Sequence, residues 1–421
     1  MLLNLTKPKQ QGGMSSFTYR MQRAMPEEVL EEMYKQMKNM WEDKHIPEWW
    51  KWRWFCPLPK VAVDIGLKDL RPISLVEIMR KTWVSLIINK IRALWDEFEI
   101  VNNAQHAYTK KCGTETAILI FINMMEEAKE SCTSIFGSSW DMIHAFDSPE
   151  KIILILSWVR LGVPLEIARY IVNMDTNGKT VVRTPLAKEA WEKSKYAGFM
   201  DIADQLEVSS NEGEEDKFPP SYFRAERGTG QGDVGSPNNW KAFFDILLCA
   251  VAMAENGKFY TRGKDGEINE IKDPAYADDL NSFSSSFEGL QEKADIVSAF
   301  CVVMGIDLSP KKLRAFTRIW GGESVEQENM ELVVHLAGWV PHTIKLDSEQ
   351  SQKSLGVVHD THTSSINQLN AMKQTLEHYL GVILKQKGSI EMKKMVVETS
   401  LNKKYYIWQS SVRYRSKNFV L

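Results

Sequence analysis

The chain has few cysteines, and they are scattered. Of 421 residues only five are cysteine, an odd number with no C-x-x-C or H-x-x-x-C spacing. A disulfide framework would need paired cysteines at regular spacing and a zinc knuckle would need clustered ligands, so the sequence disfavours both. We expect reduced thiols in an intracellular protein, in the nucleus or the cytoplasm.

Long apolar runs are also missing. No stretch approaches the roughly 18 apolar residues that a membrane-spanning helix needs, and the first ten residues, MLLNLTKPKQ, are too short and polar for a signal peptide. The sequence therefore predicts a soluble protein with no membrane partner. With 43% hydrophobic residues, the chain can still bury two or three cores.

The sequence lacks the net positive charge that is usual for proteins that bind nucleic acids, since its formal net charge is -3. The charges are unevenly distributed. Residues 201–217, DIADQLEVSSNEGEEDK, carry seven acids and one lysine, which is typical of a flexible surface insertion. Residues 366–421 carry ten Lys or Arg against three Glu, interleaved with aromatic residues. Such a tail suits a surface that follows a phosphate backbone, or alternatively a solvated helical face.

Three short strings carry acids and glycines in an order that fits phosphoryl transfer. AYADDLNSF places Asp278 and Asp279 among apolar residues, SSWDMIHAFDSP at 138–149 supplies Asp141, and RGTGQGDVGSPNNW at 227–240 combines a glycine-rich turn with the start of an apolar run at helical spacing. Alone, the acid pair is better explained by a strand that runs into an acidic turn. Because buried unpaired carboxylates are unfavourable and a divalent cation offsets this, the three strings together favour a site for two metal ions.

In this order, the three strings resemble the palm of a reverse transcriptase. The joint match is specific, because each string keeps the fixed residues of one family motif. The first motif is matched by Asp141 and the run Ala145-Phe146-Asp147, Q-G-x-x-G-S-P by Gln231, Gly232, Gly235, Ser236 and Pro237, and Tyr-x-Asp-Asp by Tyr276, Ala277, Asp278 and Asp279.

The resemblance extends over most of the chain. The AFD ending and RPISL at 71–75 are most similar to enzymes of non-LTR (LINE-type) retrotransposons. Residues 17–60 resemble the family's amino-terminal block, and residues 102–125 resemble its fingers block, which in the family opens with Q-x-G-F-R. Residues 304–316 resemble the block that follows the acid pair. KSLGVV at 353–358, with Leu355 and Gly356, resembles the primer-grip hairpin.

The resemblance implies an α+β right-hand polymerase. Residues 1–135 would form the fingers, and 136–345 the palm, with an antiparallel sheet that carries Asp141 and Asp278 and an acidic insertion at about 200–218. Residues 346–421 would form the primer-grip hairpin and a helical thumb. Within this frame we expect a strand near 52–58 and helices near 26–43, 75–97, 114–130, 150–173, 238–255 and 286–304.

The resemblance also implies which residues act in catalysis. Asp141 and Asp278 would hold two Mg²⁺ ions, with Mn²⁺ as an alternative, and Asp279 would be a weaker metal participant. Lys312 falls on the family lysine that protonates the leaving pyrophosphate, and Lys311 beside it is a competitor for that role.

Other residues would bind the incoming nucleotide. Arg71 falls on the arginine that contacts the triphosphate, and Lys60 or Lys68 would supply a second phosphate contact unless they are ordinary surface lysines. Gln231 and Gly232 would lie over the sugar and base.

The expected activity is RNA-directed DNA synthesis, in which a DNA or RNA primer is extended on an RNA template from dNTPs. Phe146 would leave no room for a 2′-hydroxyl, whereas a one-residue shift that placed Asp147 there would favour an RNA-dependent RNA polymerase. Thr109 and Cys112 stand where the fingers block usually has arginines, and no second acidic cluster indicates an attached nuclease. These departures leave open an inactive nucleic-acid-binding remnant of a retroelement. Priming mode and oligomeric state do not follow from the sequence.

Overall fold

The computed structural model describes most of the region that carries the motifs. The described residues are 12–59, 66, 70–176, 178–183, 222–262, 267–319, 330–347, 352–354, 357–359, 366–385, 389 and 391–392. Several predictions lie outside these residues: the phosphate contacts Lys60 and Lys68, the primer-grip pair Leu355 and Gly356, the acidic insertion, and most of the tail beyond residue 385.

Helices and strands alternate along the described chain. The helices are α1 (Tyr19–Arg23), α2 (Glu27–Glu42), α3 (Ile78–Glu97), α4 (Thr114–Glu130), α5 (Lys151–Arg160), α6 (Leu165–Asn173), α7 (Ser236–Ala252), α8 (Phe287–Met304) and α9 (Ile366–Lys385). The strands are β1 (Trp52–Pro59), β2 (Leu70–Leu75), β3 (Ile135–Trp140), β4 (Met142–Ile143), β5 (Lys179–Val182), β6 (Tyr222–Arg224), β7 (Phe259–Arg262), β8 (Ile268–Ile271), β9 (Ala275–Tyr276), β10 (Asp279–Ser284), β11 (Asp307–Leu308), β12 (Arg314–Arg318), β13 (Glu331–Leu336), β14 (Val340–Asp347), β15 (Gln352–Ser354) and β16 (Val357–His359).

The expected helices are present, with one correction. The single helix expected at 150–173 is two helices, α5 and α6. Gly162 between them adopts a left-handed φ of 81°, and Pro164 caps the start of α6. A left-handed glycine ends a helix and a proline cannot continue one, so the chain turns at this point.

The chain divides into two compact units. Unit 1 comprises residues 1–101 and 144–243, and unit 2 comprises residues 102–143 and 244–421. The boundaries predicted for fingers, palm and thumb stay predictions.

Unit 1 is built around a four-stranded sheet with the order β2-β1-β5-β6. β1 pairs antiparallel with β2 and parallel with β5. Alternate residues of β1 face opposite sides of the sheet. On one side, Trp52 and Trp54 pack with Met14 and Val181 into a buried cluster. Arg53, which lies between the two tryptophans, is also buried and bonds to other polar groups of this unit.

Unit 2 contains a six-stranded sheet with the order β13-β14-β12-β3-β10-β9. The central strand β3 pairs antiparallel with β10 and β12. A Cβ atom at Gly137 of β3 would overlap the Phe316 ring, so glycine lets that ring cross the strand. Phe316 joins Phe121 and Phe283 in one apolar core, which fixes the strands that lead to the acids Asp141 and Asp279. In the part of the chain that the structure describes, no helix has the length and apolar character needed to cross a membrane.

Candidate active site

The acid pair lies at the tip of a β-hairpin in unit 2. β9 and β10 pair antiparallel, with Tyr276 opposite Asp279, so that Ala277 and Asp278 form the connecting turn. Ala277 has a left-handed φ of 58°. Asp278 lies in this turn and not on a strand as expected, because β9 ends at Tyr276, two residues before it. Asp279 is the first residue of β10.

Asp141 also lies just past the end of a strand. It follows Trp140, the last residue of β3, and β3 pairs with β10 through Trp140 opposite Leu280. This register brings Asp141 to the end of the sheet at which Asp279 begins its strand. The bulky Trp140 is accommodated because it is fully buried and donates a hydrogen bond to Ser282 Oγ at 2.9 Å.

Asp278 and Asp279 are harder to ionise than ordinary aspartates. Partial burial raises the pKa of Asp278, and the charge of Asp141 raises it further, while its own backbone N–H and Lys312 oppose the rise. The Asp279 carboxylate loses part of its hydration because neighbouring atoms surround it, and this raises its pKa. With the charges of Asp278 and Asp141, the pKa of Asp279 rises to about 6. Clustered carboxylates with raised pKa values gain most from a nearby cation.

Lys312 supplies a positive charge at this cluster. Its Nζ lies 2.8 Å from Asp141 Oδ2 and 3.2 Å from Oδ1. The strand pair β4 and β11 brings it there, because Leu308 pairs with Met142 and Ser309 N–H donates to Asp141 O. Of the two candidate lysines, Lys312 is thus the one whose ammonium bonds to a predicted metal ligand.

The donor set fits divalent cations in its chemistry, since Mg²⁺ and Mn²⁺ prefer carboxylate oxygen. Among the described residues, however, no group of three His, Cys, Asp or Glu side chains is already arranged to hold a metal. Asp141 instead bonds to the Lys312 ammonium. Metal binding at these acids would require Asp141 to exchange this partner for the ion.

The glycine-rich turn lies on the free edge of β2 in unit 1. Ser74 N–H donates to Gln231 O at 2.6 Å. Gly232 has a φ of 100°, and a Cβ at this position would lie 2.7 Å from Ser74 O. Glycine is therefore needed both for the backbone conformation and for the close approach. Arg71 is exposed on the same strand, β2, as Ser74.

Phe146 is fixed beside the same turn. It lies in a short 3-10 helix, Ala145–Asp147, where its ring stacks on that of Trp240 with centroids 4.9 Å apart. Its carbonyl accepts a hydrogen bond from Thr229 N–H at 2.8 Å. Unit 1 thus contains Phe146, the Gln231–Gly232 turn and the strand of Arg71, and their nucleotide-binding roles stay predictions.

Sequence reasoning missed a buried charge network behind this turn. Arg80 Nη2 bonds to Asp175 Oδ1 at 2.5 Å and also to Asp233 Oδ2, while Arg80 Nη1 donates to the carbonyls of Trp50 and Met174. All of its charged partners are less than a tenth exposed. Arg80 stands in the apolar run IMRKTWV, and a charged residue at a core position of a helix is the signal that could have identified it.

An acid-bearing hairpin beside a second acid, with a glycine-rich turn elsewhere in an α+β fold, is an arrangement typical of nucleic-acid polymerases. Residues 58–384 match the family model described as "Reverse transcriptase (RNA-dependent DNA polymerase)". The chain belongs to the reverse transcriptase family. This confirms the predicted enzyme class and its α+β polymerase fold.

Known proteins resemble the chain over different lengths. It is 22% identical, over 311 residues, to the retrovirus-related Pol polyprotein from type-1 retrotransposable element R2 of Nasonia vitripennis; the match covers 72% of this chain and 26% of that polyprotein. Two telomerase structures from Candida tropicalis are also similar. The apo form has a TM-score of 0.41 at 11% identity and covers 77% of this chain and 60% of its own. The complex with a TWJ fragment of telomeric RNA has a TM-score of 0.42 at 12% identity, with coverages of 96% and 59%.

Proposed function

We propose that this chain is an RNA-directed DNA polymerase that extends a primer 3′ end on an RNA template. The observation that carries the proposal is the cluster formed by Asp141, Asp278 and Asp279 with Lys312 in unit 2. Three carboxylates beside one lysine, with the pKa values of Asp278 and Asp279 raised, form the donor set that two-metal nucleotidyl transfer uses.

Each of these residues has a proposed task. Asp141 and Asp278 would hold two Mg²⁺ or Mn²⁺ ions, with Asp279 as a weaker participant. When bound, the ions would activate the primer 3′-hydroxyl and neutralise charge on the phosphates. Lys312, which bonds to Asp141 in this structure, would donate a proton to the leaving pyrophosphate.

Residues of unit 1 would bind the deoxynucleotide. Arg71 is exposed and offers a planar guanidinium that can contact two phosphate oxygens. The Gln231–Gly232 turn would contact the sugar and base, and Phe146 would exclude a 2′-hydroxyl. The stacking of Phe146 on Trp240 supports this last assignment, because a fixed ring can discriminate by shape. Lys60 as a phosphate contact, and Leu355 and Gly356 as the primer grip, remain proposals from the resemblance.

We further propose that the domain derives from a non-LTR retrotransposon. The similarity to the R2 polyprotein supports this origin. The chain spans about a quarter of that polyprotein's length, so its substrates and partners in a longer protein are part of the proposal.

A primer-extension assay tests the function. The folded chain is given an RNA template, a DNA primer, Mg²⁺ and either dNTPs or NTPs. Extension with dNTPs is expected. No extension by a folded protein would contradict the proposal and favour an inactive remnant, whereas extension with NTPs alone would favour an RNA-dependent RNA polymerase.

A further inference from the structure

Gln105 pairs with the backbone of the turn that carries the acid pair. Its Oε1 accepts the Ala277 N–H at 2.9 Å, and its Nε2 donates to the Ala277 carbonyl at 3.0 Å. The two residues are 172 positions apart in the sequence, and Gln105 is only 1% exposed. The side-chain amide thus satisfies both backbone polar groups of the residue that precedes Asp278.

The turn needs such support because of its conformation. Ala277 has a φ of 58°, a left-handed conformation that is unfavourable for any residue with a Cβ atom and is usually taken by glycine. Ala277 is also buried, so its N–H and carbonyl need partners within the protein. Gln105 provides both.

Gln105 is itself held in place. Its Oε1 also accepts the N–H of Ala107 at 3.0 Å, which fixes the orientation of the amide group. The backbone on either side of it pairs with β9, since Ala275 N–H donates to Ala104 O at 2.9 Å and His106 N–H donates to Ala275 O at 2.8 Å. The segment around Gln105 is therefore tied to the hairpin by an isolated parallel β-bridge between Gln105 and Ala275.

We infer that Gln105 is a positioning residue for Asp278, and that it sets the affinity of the acid cluster for divalent cations. The inference rests on the proposed function, because it takes Asp278 to be a metal ligand. Gln105 does not contact the reacting groups. It acts by fixing the backbone at Ala277, and hence the direction from which the Asp278 carboxylate approaches Asp141.

A second glutamine in unit 2 offers a matched control. Gln291 makes the same pair of bonds to Val333, with Nε2 donating to Val333 O at 2.8 Å and Oε1 accepting Val333 N–H at 3.0 Å. Val333 lies in β13, which carries none of the predicted metal ligands. Loss of Gln291 removes an equivalent interaction from the unit without touching the turn.

The test compares Gln105→Leu and Gln105→Glu with Gln291→Leu and Gln291→Glu. Gln105→Glu keeps the size of the side chain but replaces the amide nitrogen that donates to the Ala277 carbonyl with an oxygen. It is the variant to measure if Gln105→Leu does not fold. The first measurement is amide hydrogen exchange in metal-free protein. We expect exchange at Ala277 and Asp278 to accelerate in the Gln105 variants and to stay unchanged in the Gln291 variants.

The second measurement is Mn²⁺ binding to the chain without nucleic acid, followed by the electron paramagnetic resonance signal of free Mn²⁺. Residues that orient metal ligands typically contribute about 10- to 100-fold to metal affinity. We expect a loss in this range for the Gln105 variants and none for the Gln291 variants. If the Gln105 and Gln291 variants bind Mn²⁺ with equal affinity, the inference is wrong and the proposed function stands. The same holds if amide exchange at Ala277 and Asp278 is unchanged in the Gln105 variants. A wild-type chain that keeps the turn protected but binds no Mn²⁺ would overturn the proposed function and the metal part of the inference together.

Discussion

Arg80 forms a buried ion pair with Asp233, the residue that directly follows the Gln231–Gly232 turn. The same guanidinium bonds to Asp175 and to two backbone carbonyls, so it joins α3 to the glycine-rich turn and to the segment after α6. Burial opposes the charge of Arg80, but Asp233 and Asp175 outweigh this and raise its pKa. The turn proposed to bind the nucleotide is thus anchored by a permanently charged group.

Asp233→Asn is expected to raise the KM for dNTPs, because the turn loses its anchor to Arg80. Breaking a buried ion pair by removing one partner typically costs about 3–5 kcal/mol of stability. Asp175→Asn is the control, since it also removes a buried carboxylate from Arg80 but lies outside the turn. Urea unfolding and steady-state primer extension measure both effects. If Asp233→Asn and Asp175→Asn lose equal stability and show an equal rise in the KM for dNTPs, Asp233 has no specific role in anchoring the turn.

The stability of unit 1 is expected to fall in acid because of Asp175. Burial alone would raise the pKa of this carboxyl, but Arg80, Arg53 and Lys151 hold it below its ordinary value of 3.8. A carboxyl with a lowered folded-state pKa stabilises the fold above its unfolded pKa and loses that contribution as the pH falls. Urea midpoints for the wild type should therefore decline below about pH 4. Asp175→Asn should show a lower midpoint at neutral pH and a shallower acid decline; parallel pH profiles would exclude Asp175 as the cause.

The strings proposed to act in catalysis could be recognised from the sequence because each is local. Asp141, the Gln231–Gly232 turn and the pair Asp278–Asp279 lie in short motifs whose residue types follow from their chemistry. The break between α5 and α6 could also have been predicted, because Gly162 and Pro164 in the string LGVP at 161–164 both disfavour a continuous helix.

The supporting residues were not predictable in the same way. Arg80 and Asp233 are 153 positions apart, and Gln105 and Ala277 are 172 apart. Each pair forms only when distant segments fold together, so the sequence around one residue does not predict which residue it will contact. The turn at Asp278 was misplaced for a related reason: alanine at position 277 gives no sign of the left-handed backbone that Gln105 stabilises.

Lys312→Met is expected to reduce kcat with little change in the KM for dNTPs, because Lys312 is the proposed proton donor. General acid catalysis contributes typically about 10²- to 10⁴-fold. Lys311→Met is the control, since its neighbour Lys312 is the lysine that bonds to Asp141. Single-turnover extension at saturating dNTP measures the effect. If both variants lose the same activity, or if Lys311→Met loses more, the assignment to Lys312 is wrong.

Asp278→Asn is expected to abolish extension without unfolding the chain. Burial and the charge of Asp141 disfavour the ionised form of Asp278, so a neutral amide at this position should not lower the thermal midpoint in metal-free protein. Asp279→Asn should retain part of the activity, since Asp279 is proposed to be the weaker metal participant. Calorimetry and primer extension on the same samples provide the comparison. Full activity in Asp278→Asn would mean that the acid assignment is mistaken.

Phe146→Val is expected to let the enzyme use NTPs, because the smaller side chain leaves room for a 2′-hydroxyl. The ratio of kcat/KM for dNTP to kcat/KM for NTP should fall, while the rate with dNTP changes less. Phe146→Tyr is the matched control, since it keeps an aromatic ring that can stack on Trp240 and should keep the discrimination. Parallel extension reactions with a single dNTP or the corresponding NTP give the ratio. If Phe146→Val discriminates as strongly as the wild type, Phe146 is a packing residue of unit 1, and the preference for deoxynucleotides must come from another side chain.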